Sequence, residues 1–495
     1  MIFLISLTSW LCGYLTASFP SLQSEQQGES FRSTDWQVNS SVPIERQAES
    51  YLPTEKHVDI AIRVRELRVS LEKRFPKDLF SNWANHRSAT LDALDRLAVC
   101  TEHNDCGSGE MTVIVLGSFH FGHSQRGHVS GEDIWAGSIV ELLKTHNFTL
   151  LYTYQPLEAL LVYQAIPELI PLVFLESADL DQCLKLSRID QQATEASTSP
   201  IEGIDQNEPG EKVGCVKQVG FESGIPVQKI RTFHFWNGQR HPLEGWTVSP
   251  ENYNEWTGGT KNYYLGYWLP HCEHVSPSSS RLPRAFVLGK RPEYFEGSNY
   301  VWPRNMLLRV AQLMSEPESE FEFVGGIGQT RLEDLEPGIT NLGVMGKEVW
   351  NREVQKSAAM LGVGKPFWSP SPYDAWCMGV PFINPITKRD PSEPENRAKW
   401  KTQHDGLLDF DPPYVYHVPT DDENALLDAL QSAVVRPIDP YIPERMTRES
   451  VDKRLLHLVN HNWTAEAEQL ILRDKASGFW IPQLPSHHAR DGLLL

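Results

Sequence analysis

The sequence predicts an α/β protein of two domains, each built on parallel strands joined by helices. Three observations carry this reading. Residues 111–116 and 358–363 are short apolar runs that end at glycine and feed a loop opening a helix, as buried parallel strands do. Residues 358–385 repeat the pattern at once: strand, Pro-rich loop, short helix, second apolar strand at 380–383. The chain has 495 residues, too many for one core, so two domains plus extra segments are expected.

Composition narrows the class. Hydrophobic residues make up 40% and charged residues 22%, which fits a folded globular chain. A net charge of −19 argues against nucleic acid or an acidic membrane surface as partner. It leaves room for a nucleotide, because a few backbone N–H groups and one lysine suffice to hold a diphosphate. Fifteen Trp residues are available to stack on sugars, although filling a core is the commoner use of any one of them.

Residues 2–18 form an uncharged apolar run, short of the about 20 residues a full span needs. Residues 1–20 therefore read as a signal peptide or a short signal-anchor, which puts the body in a lumen or outside the cell. Three glycosylation sequons, at Asn39, Asn147 and Asn462, agree with that compartment. Residues 21–55 are polar and aperiodic and read as a flexible stem. Beyond Cys12 the cysteines are Cys100, Cys106, Cys183, Cys215, Cys272 and Cys377. An even set in an oxidising compartment implies disulfides, with Cys100–Cys106 and Cys183–Cys215 the local pairs. Cys377, inside the short helix, reads as a free buried thiol. No spacing of Cys or His marks structural zinc.

In chain order, residues 56–108 form a helical segment packed on the first domain, with Ile60, Val64, Leu67 and Leu71 on one face and Leu91, Leu94 and Leu97 on another. The first domain spans 109–275, with a polar insertion at 186–215. Its first strand ends in Gly117-Ser118-Phe119-His120-Phe121-Gly122, a turn of Rossmann type. Ser130 caps a helix that starts Gly131-Glu132-Asp133. This start lies at the carboxyl edge of the sheet, where Glu132 or Asp133 can face a ligand as a base. An acidic residue in a first helical turn also simply favours the helix dipole. The second domain spans 282–445 and opens with the strand at 284–288, followed by Gly289-Lys290, whose ammonium is placed to reach a diphosphate. Gly325-Gly326-Ile327-Gly328 is no dinucleotide fingerprint, since its glycines open no helix. In the 358–385 stretch Ser371 stands at the expected N-cap and Pro372 at the first helical position. The amides there favour an anion, and Asp374 in the first turn can take a ribose hydroxyl. A C-terminal helix at 446–475 and a tail at 476–495 complete the chain.

These residues carry a resemblance. Met360-Leu361-Gly362-Val363-Gly364, Pro372-Tyr373-Asp374-Ala375, Met378-Gly379 and Phe382-Ile383-Asn384-Pro385 are similar, in order, to the nucleotide-sugar segment of the α-1,6-mannosylglycoprotein 6-β-N-acetylglucosaminyltransferase family (N-acetylglucosaminyltransferase V, glycosyltransferase family 18). Asn341 to Lys347, Gln403-His404 and Ile438-Asp439-Pro440-Tyr441-Ile442-Pro443 continue it, as do Trp246 and Tyr264-Leu265-Gly266-Tyr267. The family's Glu in the donor helix is Asp374 here. Phe367-Trp368-Ser369 replaces a family Tyr-Glu-Gly, so one acidic donor contact is absent.

The resemblance implies a GT-B type fold, two Rossmann-like domains facing a cleft, and an inverting, metal-independent transfer of N-acetylglucosamine from UDP-GlcNAc to a glycan or glycoprotein hydroxyl, by analogy a β-1,6 linkage to mannose of an N-glycan. It implies Glu132 as general base and Gly289, Lys290, Ser369, Ser371, Pro372, Tyr373 and Asp374 as donor contacts. No cofactor beyond the donor is expected, and no nucleic acid. It implies the Golgi lumen as location, as a single-pass type II membrane protein held only by the N-terminal apolar segment; secretion is the alternative. Two other readings stand beside it. One is a catalytically degenerate glycan-binding protein of the same fold. The other is a metal-dependent transferase using Asp179-Leu180-Asp181 or Asp409-Phe410-Asp411.

Overall fold

The computed structural model describes residues 54–74, 84–180, 183, 214–217, 222–236, 246–252, 262–275, 281–328 and 336–476. The apolar run at 2–18, the stem up to residue 53, most of the insertion and residues 477–495 lie outside them. Among the described residues no helix is long and apolar enough to cross a membrane.

Helices α1 (Glu55–Arg74) and α2 (Ala84–His103) open the fold. Ile60, Val64, Leu67 and Leu71 of α1 and Leu94 and Leu97 of α2 are buried over the first sheet, while Leu91 is only partly buried against the same cluster. Thr90 ties α2 to that sheet by accepting a 2.9 Å bond from the Tyr152 amide. The first sheet comprises β1 (Val113–Gly117), β2 (Thr149–Tyr152), β3 (Leu172–Glu176), β4 (Ile230–Phe233), β5 (Thr247–Ser249) and β6 (Tyr263–Tyr264). Their order is β2-β1-β3-β4-β5-β6 and every pairing is parallel. Strand β1 is buried along its whole length, which is why its sequence is a continuous apolar run and not an alternating one. Crossovers pass through α3 (Phe119–Ser124), α4 (Gly131–Thr145) and α5 (Pro156–Ala165).

The second sheet contains β7 (Leu282–Leu288), β8 (Glu322–Gly325), β9 (Ile339–Asn341), β10 (Ser357–Gly362), β11 (Phe382–Lys388), β12 (Lys401–Thr402) and β13 (Val415–Pro419). Its path is β12-β11-β10-β7-β8-β9, with β13 also beside β11; only β12 is antiparallel. Its helices are α6 (Met306–Met314), α7 (Lys347–Gln355), α8 (Ser371–Cys377) and α9 (Glu423–Val435). Gly379, at φ +75°, ends α8 where a residue with Cβ would also strike the Ile438 carbonyl.

The chain then returns to the first domain through α10 (Arg448–Asn460) and α11 (Thr464–Ala476). The predicted single C-terminal helix is two, divided at residues 461–463. Asp452 accepts from His146 at 2.7 Å, and Arg454 donates to the Leu265 carbonyl at 2.8 Å. Between α10 and α11, Trp463 stacks on the buried Arg231 guanidinium at 4.3 Å, with Trp246 on it at 4.6 Å.

Three disulfides are present among the described residues: Cys100–Cys106, Cys183–Cys215 and Cys272–Cys377. The first two are the local pairs. The third corrects the reading of Cys377 as a free thiol. Its partner lies 105 residues away on the loop leaving the first domain, and the bond fastens that loop to α8.

Candidate active site between the two sheets

The carboxyl ends of the two sheets face one cleft of about 560 Å³. Two sequence features aim the first domain at it. Strand β1 hands over to α3, and the Ser130 hydroxyl accepts from the Asp133 amide at 3.1 Å, setting the start of α4 at the cleft edge. Gly131 makes the approach possible: a Cβ there would lie 2.8 Å from the Phe235 ring and 3.2 Å from Pro370 Cδ, across on the second domain. Glu132, the next residue, is half-buried and lines the cleft. Among the described residues its carboxylate carries no hydrogen bond or ion pair. Asp133 faces the other way, buried, and accepts from His120 Nδ1 at 2.7 Å. Burial raises the Asp133 pKa, but the bonds from His120 and Ser130 outweigh it, so the carboxyl sits below its usual range. Asp133 is thus held inside, and Glu132 is the carboxylate open to a ligand.

The second domain supplies the opposite wall. Gly289 and Lys290, after β7, line it with Arg291, and Lys290 Nζ is 3.4 Å from the Val129 carbonyl. Lys290 stays open to solvent; partial desolvation and Arg291 lower its pKa, against an upward pull from Glu132 and Asp133. Ser369, Pro370 and Ser371 complete this wall at the start of α8. The Ser369 hydroxyl donates to the Ser371 hydroxyl at 3.1 Å. The helix begins one residue early: Pro370, not Ser371, stands at the cap and makes no side-chain capping bond. The Ser369 hydroxyl also accepts from the Ser371 amide at 3.3 Å, so it holds the first N–H of α8 while both hydroxyls border the cleft.

Asp374 is where the structure departs most from expectation. It borders the cleft, but its side chain is fully buried. Lys347, at the start of α7, donates to Oδ2 at 2.7 Å, and His271 Nε2 lies 2.9 Å from Oδ1. Desolvation works against the charge, and Lys347 and His271 override it, so the carboxyl is held below its ordinary range. A carboxylate clasped in this way positions the Lys347 ammonium, which also lies over the Trp350 ring at 4.3 Å. Pro372 and Tyr373 do not line the cleft. A helix turns its residues 100° apart: Pro372 is buried, and Tyr373 faces the domain joint. The Tyr373 hydroxyl donates to Glu251 Oε1 at 2.9 Å, inside the core.

Behind α8 a buried polar joint links the two domains. Glu251 comes from the first domain; Tyr373 and His404 come from the second, with His404 Nε2 3.6 Å from Glu251 Oε1. Burial pushes the Glu251 carboxyl up to about 8 and the His404 imidazole down to about 3. Gln403 steadies the neighbouring loop, donating to the Pro366 carbonyl at 3.0 Å and accepting from the Gly364 amide at 2.8 Å.

The sequence match lies across this part of the chain. The model of glycosyltransferase family 18 matches residues 232–484, more than half of the 495. The chain belongs to glycosyltransferase family 18. It is a glycosyltransferase, and its two parallel-sheet domains around one cleft are the GT-B arrangement. No curated protein matches it in sequence. Among solved structures it is similar to S. aureus MnaA, solved with UDP, at 10% identity over 73% of this chain and 97% of that one, TM-score 0.32. It is also similar to CalG4, a calicheamicin glycosyltransferase (14%, 73% and 98%, TM-score 0.28). A third is E. coli heptosyltransferase WaaC, solved with ADP (10%, 65% and 97%, TM-score 0.26). Likeness at such scores says nothing of the donor or the acceptor of this family 18 transferase.

Asp409 pairs with Arg445 at 2.8 Å and Asp411 with Arg397 at 2.5 Å. Asp179 borders a separate hollow, and Asp181 lies outside the described residues. Sequence reasoning did not pick out Lys347, His271 or Trp350 as site residues. The signal for Lys347 was its place at a helix start directly after Gly346; nothing local marks His271.

Proposed function

We propose that this family 18 transferase moves N-acetylglucosamine from UDP-GlcNAc, with inversion and without a metal at the diphosphate, to a hydroxyl of a glycan or glycoprotein. The observation that carries the reading is the pairing of walls in one cleft: an unbonded Glu132 faces Lys290, Lys347 and the hydroxyls of Ser369 and Ser371. An acceptor hydroxyl is a poor nucleophile until a base takes its proton, and Glu132 is the open carboxylate in reach of the cleft. The hydroxyl oxygen attacks the anomeric carbon as the bond to the UDP oxygen breaks on the opposite face, which gives a β-linked product from an α-linked donor. Lys290, Lys347, Arg291 and the two serines hold the negative charge that gathers on the leaving diphosphate. Gly289 borders the same wall, where a Cβ would strike the Phe295 ring at 2.8 Å. Asp374 keeps Lys347 in place. No ligand in this scheme is a divalent cation, and no cofactor other than the donor takes part.

The family resemblance supplies the finer expectation, a β-1,6 linkage to a mannose arm of an N-glycan, in the Golgi lumen or outside the cell. The test is incubation of the protein with UDP-GlcNAc and a mannose-terminated N-glycan in EDTA, with product mass and anomeric coupling read by mass spectrometry and NMR. A β-linked addition that disappears in Glu132→Gln supports the proposal. An α-linked product, or addition only when Mn²⁺ is restored, overturns it.

A further inference from the structure

Beside Glu132, on the side away from the diphosphate wall, three side chains from two helices meet at one point. Helix α3 presents His120 and His123 three residues apart, hence on the same face. Both Nδ1 atoms aim at one oxygen, Asp133 Oδ1, at 2.7 Å and 3.6 Å. The rings stand at 90° to each other, so they reach that oxygen from different directions. The three ligand atoms all lie within 4.8 Å of one another. We propose that His120, His123 and Asp133 form a binding site for a Zn²⁺-class divalent ion, which fastens α3 to the first turn of α4. This goes beyond the transfer reaction and does not depend on it.

The chemistry selects the metal. Two imidazoles and a carboxylate are the donor set of a three-ligand zinc site, whereas Mg²⁺ and Mn²⁺ favour oxygen. Zinc bonds of about 2.0–2.2 Å place tetrahedral ligands roughly 3.3 Å apart. The observed 2.7 Å and 3.6 Å from the two imidazoles to Asp133 bracket that spacing, and all three ligand atoms lie within 4.8 Å of one another. The ion takes the place of the proton shared between His120 Nδ1 and Asp133, while His120 keeps its N–H at Nε2. Asp133 is anchored for the role, being buried and fixed through its amide to Ser130. The Phe119 ring lies 4.0 Å from His120 and the Phe233 ring 6.1 Å, which gives the site an apolar flank. His123 is the partly exposed member and forms the entry side. Water completes the fourth position. Two further groupings of possible ligands, around Cys100 and around Cys272, are disqualified because their cysteines are oxidised to disulfides and offer no thiolate.

The test is titration of the metal-stripped protein with Co²⁺ and with Zn²⁺ in the absence of any nucleotide. Tetrahedral Co²⁺ gives an intense visible absorption, a readout independent of transferase activity. The site predicts one such ion per chain, displaced by Zn²⁺, and a Zn²⁺-dependent rise in Tm of roughly 3 °C. In His123→Ala, and separately in His120→Gln, affinity falls at least tenfold and the Tm rise disappears. The partly exposed position of His123 keeps that variant folded, which circular dichroism checks. Absence of tetrahedral Co²⁺ absorption in the wild type overturns the proposal. So does binding that persists unchanged in both variants, which would place the ion elsewhere.

Discussion

The two walls of the cleft are built from opposite materials. The first-domain wall is acidic: Glu132 lies open to the cleft, and outside the lining Asp133 accepts from His120, with His123 3.6 Å from the same oxygen. The second-domain wall is cationic and hydroxyl-bearing, with Lys290, Arg291, Lys347, Ser369 and Ser371. Even the carboxylates differ in use. Glu132 is left unengaged, while Asp374 on the other wall is spent on holding Lys347. The difference teaches how one cleft separates its tasks. A proton acceptor works only if no cation has already claimed it, and a leaving diphosphate is stabilised only if the cations near it are fixed in advance.

The largest expected effect breaks the proton wall alone. Glu132→Gln should lower transfer by roughly 100- to 10,000-fold while UDP affinity stays within about twofold. Parallel loss of UDP affinity would mean that the walls do not divide the work. Next comes Asp374→Asn, which leaves Lys347 beside a neutral amide in a buried place. Unfolding in denaturant should show a loss of about 3 kcal/mol, the scale for breaking a buried pair by removing one partner. A loss near zero would show that Lys347 does not need its clasp. Third, Lys347→Ala and Lys290→Ala should each weaken UDP by about tenfold, some 1.4 kcal/mol, and lower turnover as well, because both cations meet the charge on the leaving diphosphate. UDP affinity unchanged in both variants would show that these lysines do not hold the diphosphate.

The smallest effect concerns the joint behind the walls. The Glu251 pKa is raised by burial from 4.5 to about 8, so the folded state holds a proton that the unfolded state has lost between those values. Its stabilising contribution is complete below pH 4.5 and fades as pH climbs through 8. The His404 pKa is lowered by burial from 6.5 to about 3, so its contribution is complete above pH 6.5 and fades as pH falls through 3. The two slopes cancel between pH 4.5 and 6.5, where stability from this joint is greatest. Above pH 6.5 only the Glu251 slope remains, at most about 1.4 kcal/mol per pH unit. Glu251→Gln should flatten that alkaline decline, measured as Tm against pH. An unchanged decline would exclude Glu251 as its source.

Much of this architecture was legible because it is local. The apolar runs of β1 and β10 declare buried parallel strands, and Ser130 declares the start of α4 and with it the position of Glu132. What escaped depends on residues far apart in sequence. Lys347 meets Asp374 across 27 residues, and Cys272 meets Cys377 across 105, with no periodicity to announce either. The resemblance implies Tyr373 as a donor contact, and its neighbourhood in sequence does not show that its hydroxyl turns to Glu251, 122 residues away. His120 is legible only as part of the turn after β1; the helix that aligns it with His123 on Asp133 is a product of packing.

One wall holds the diphosphate and the other handles the proton. Isothermal titration with UDP in EDTA, on the wild type, Glu132→Gln and Lys347→Ala, tests this division most directly. The expected outcome is binding to the wild type without any metal, equal binding to Glu132→Gln, and about tenfold weaker binding to Lys347→Ala. No UDP binding by the wild type in EDTA, or affinity lost in Glu132→Gln and kept in Lys347→Ala, would contradict it.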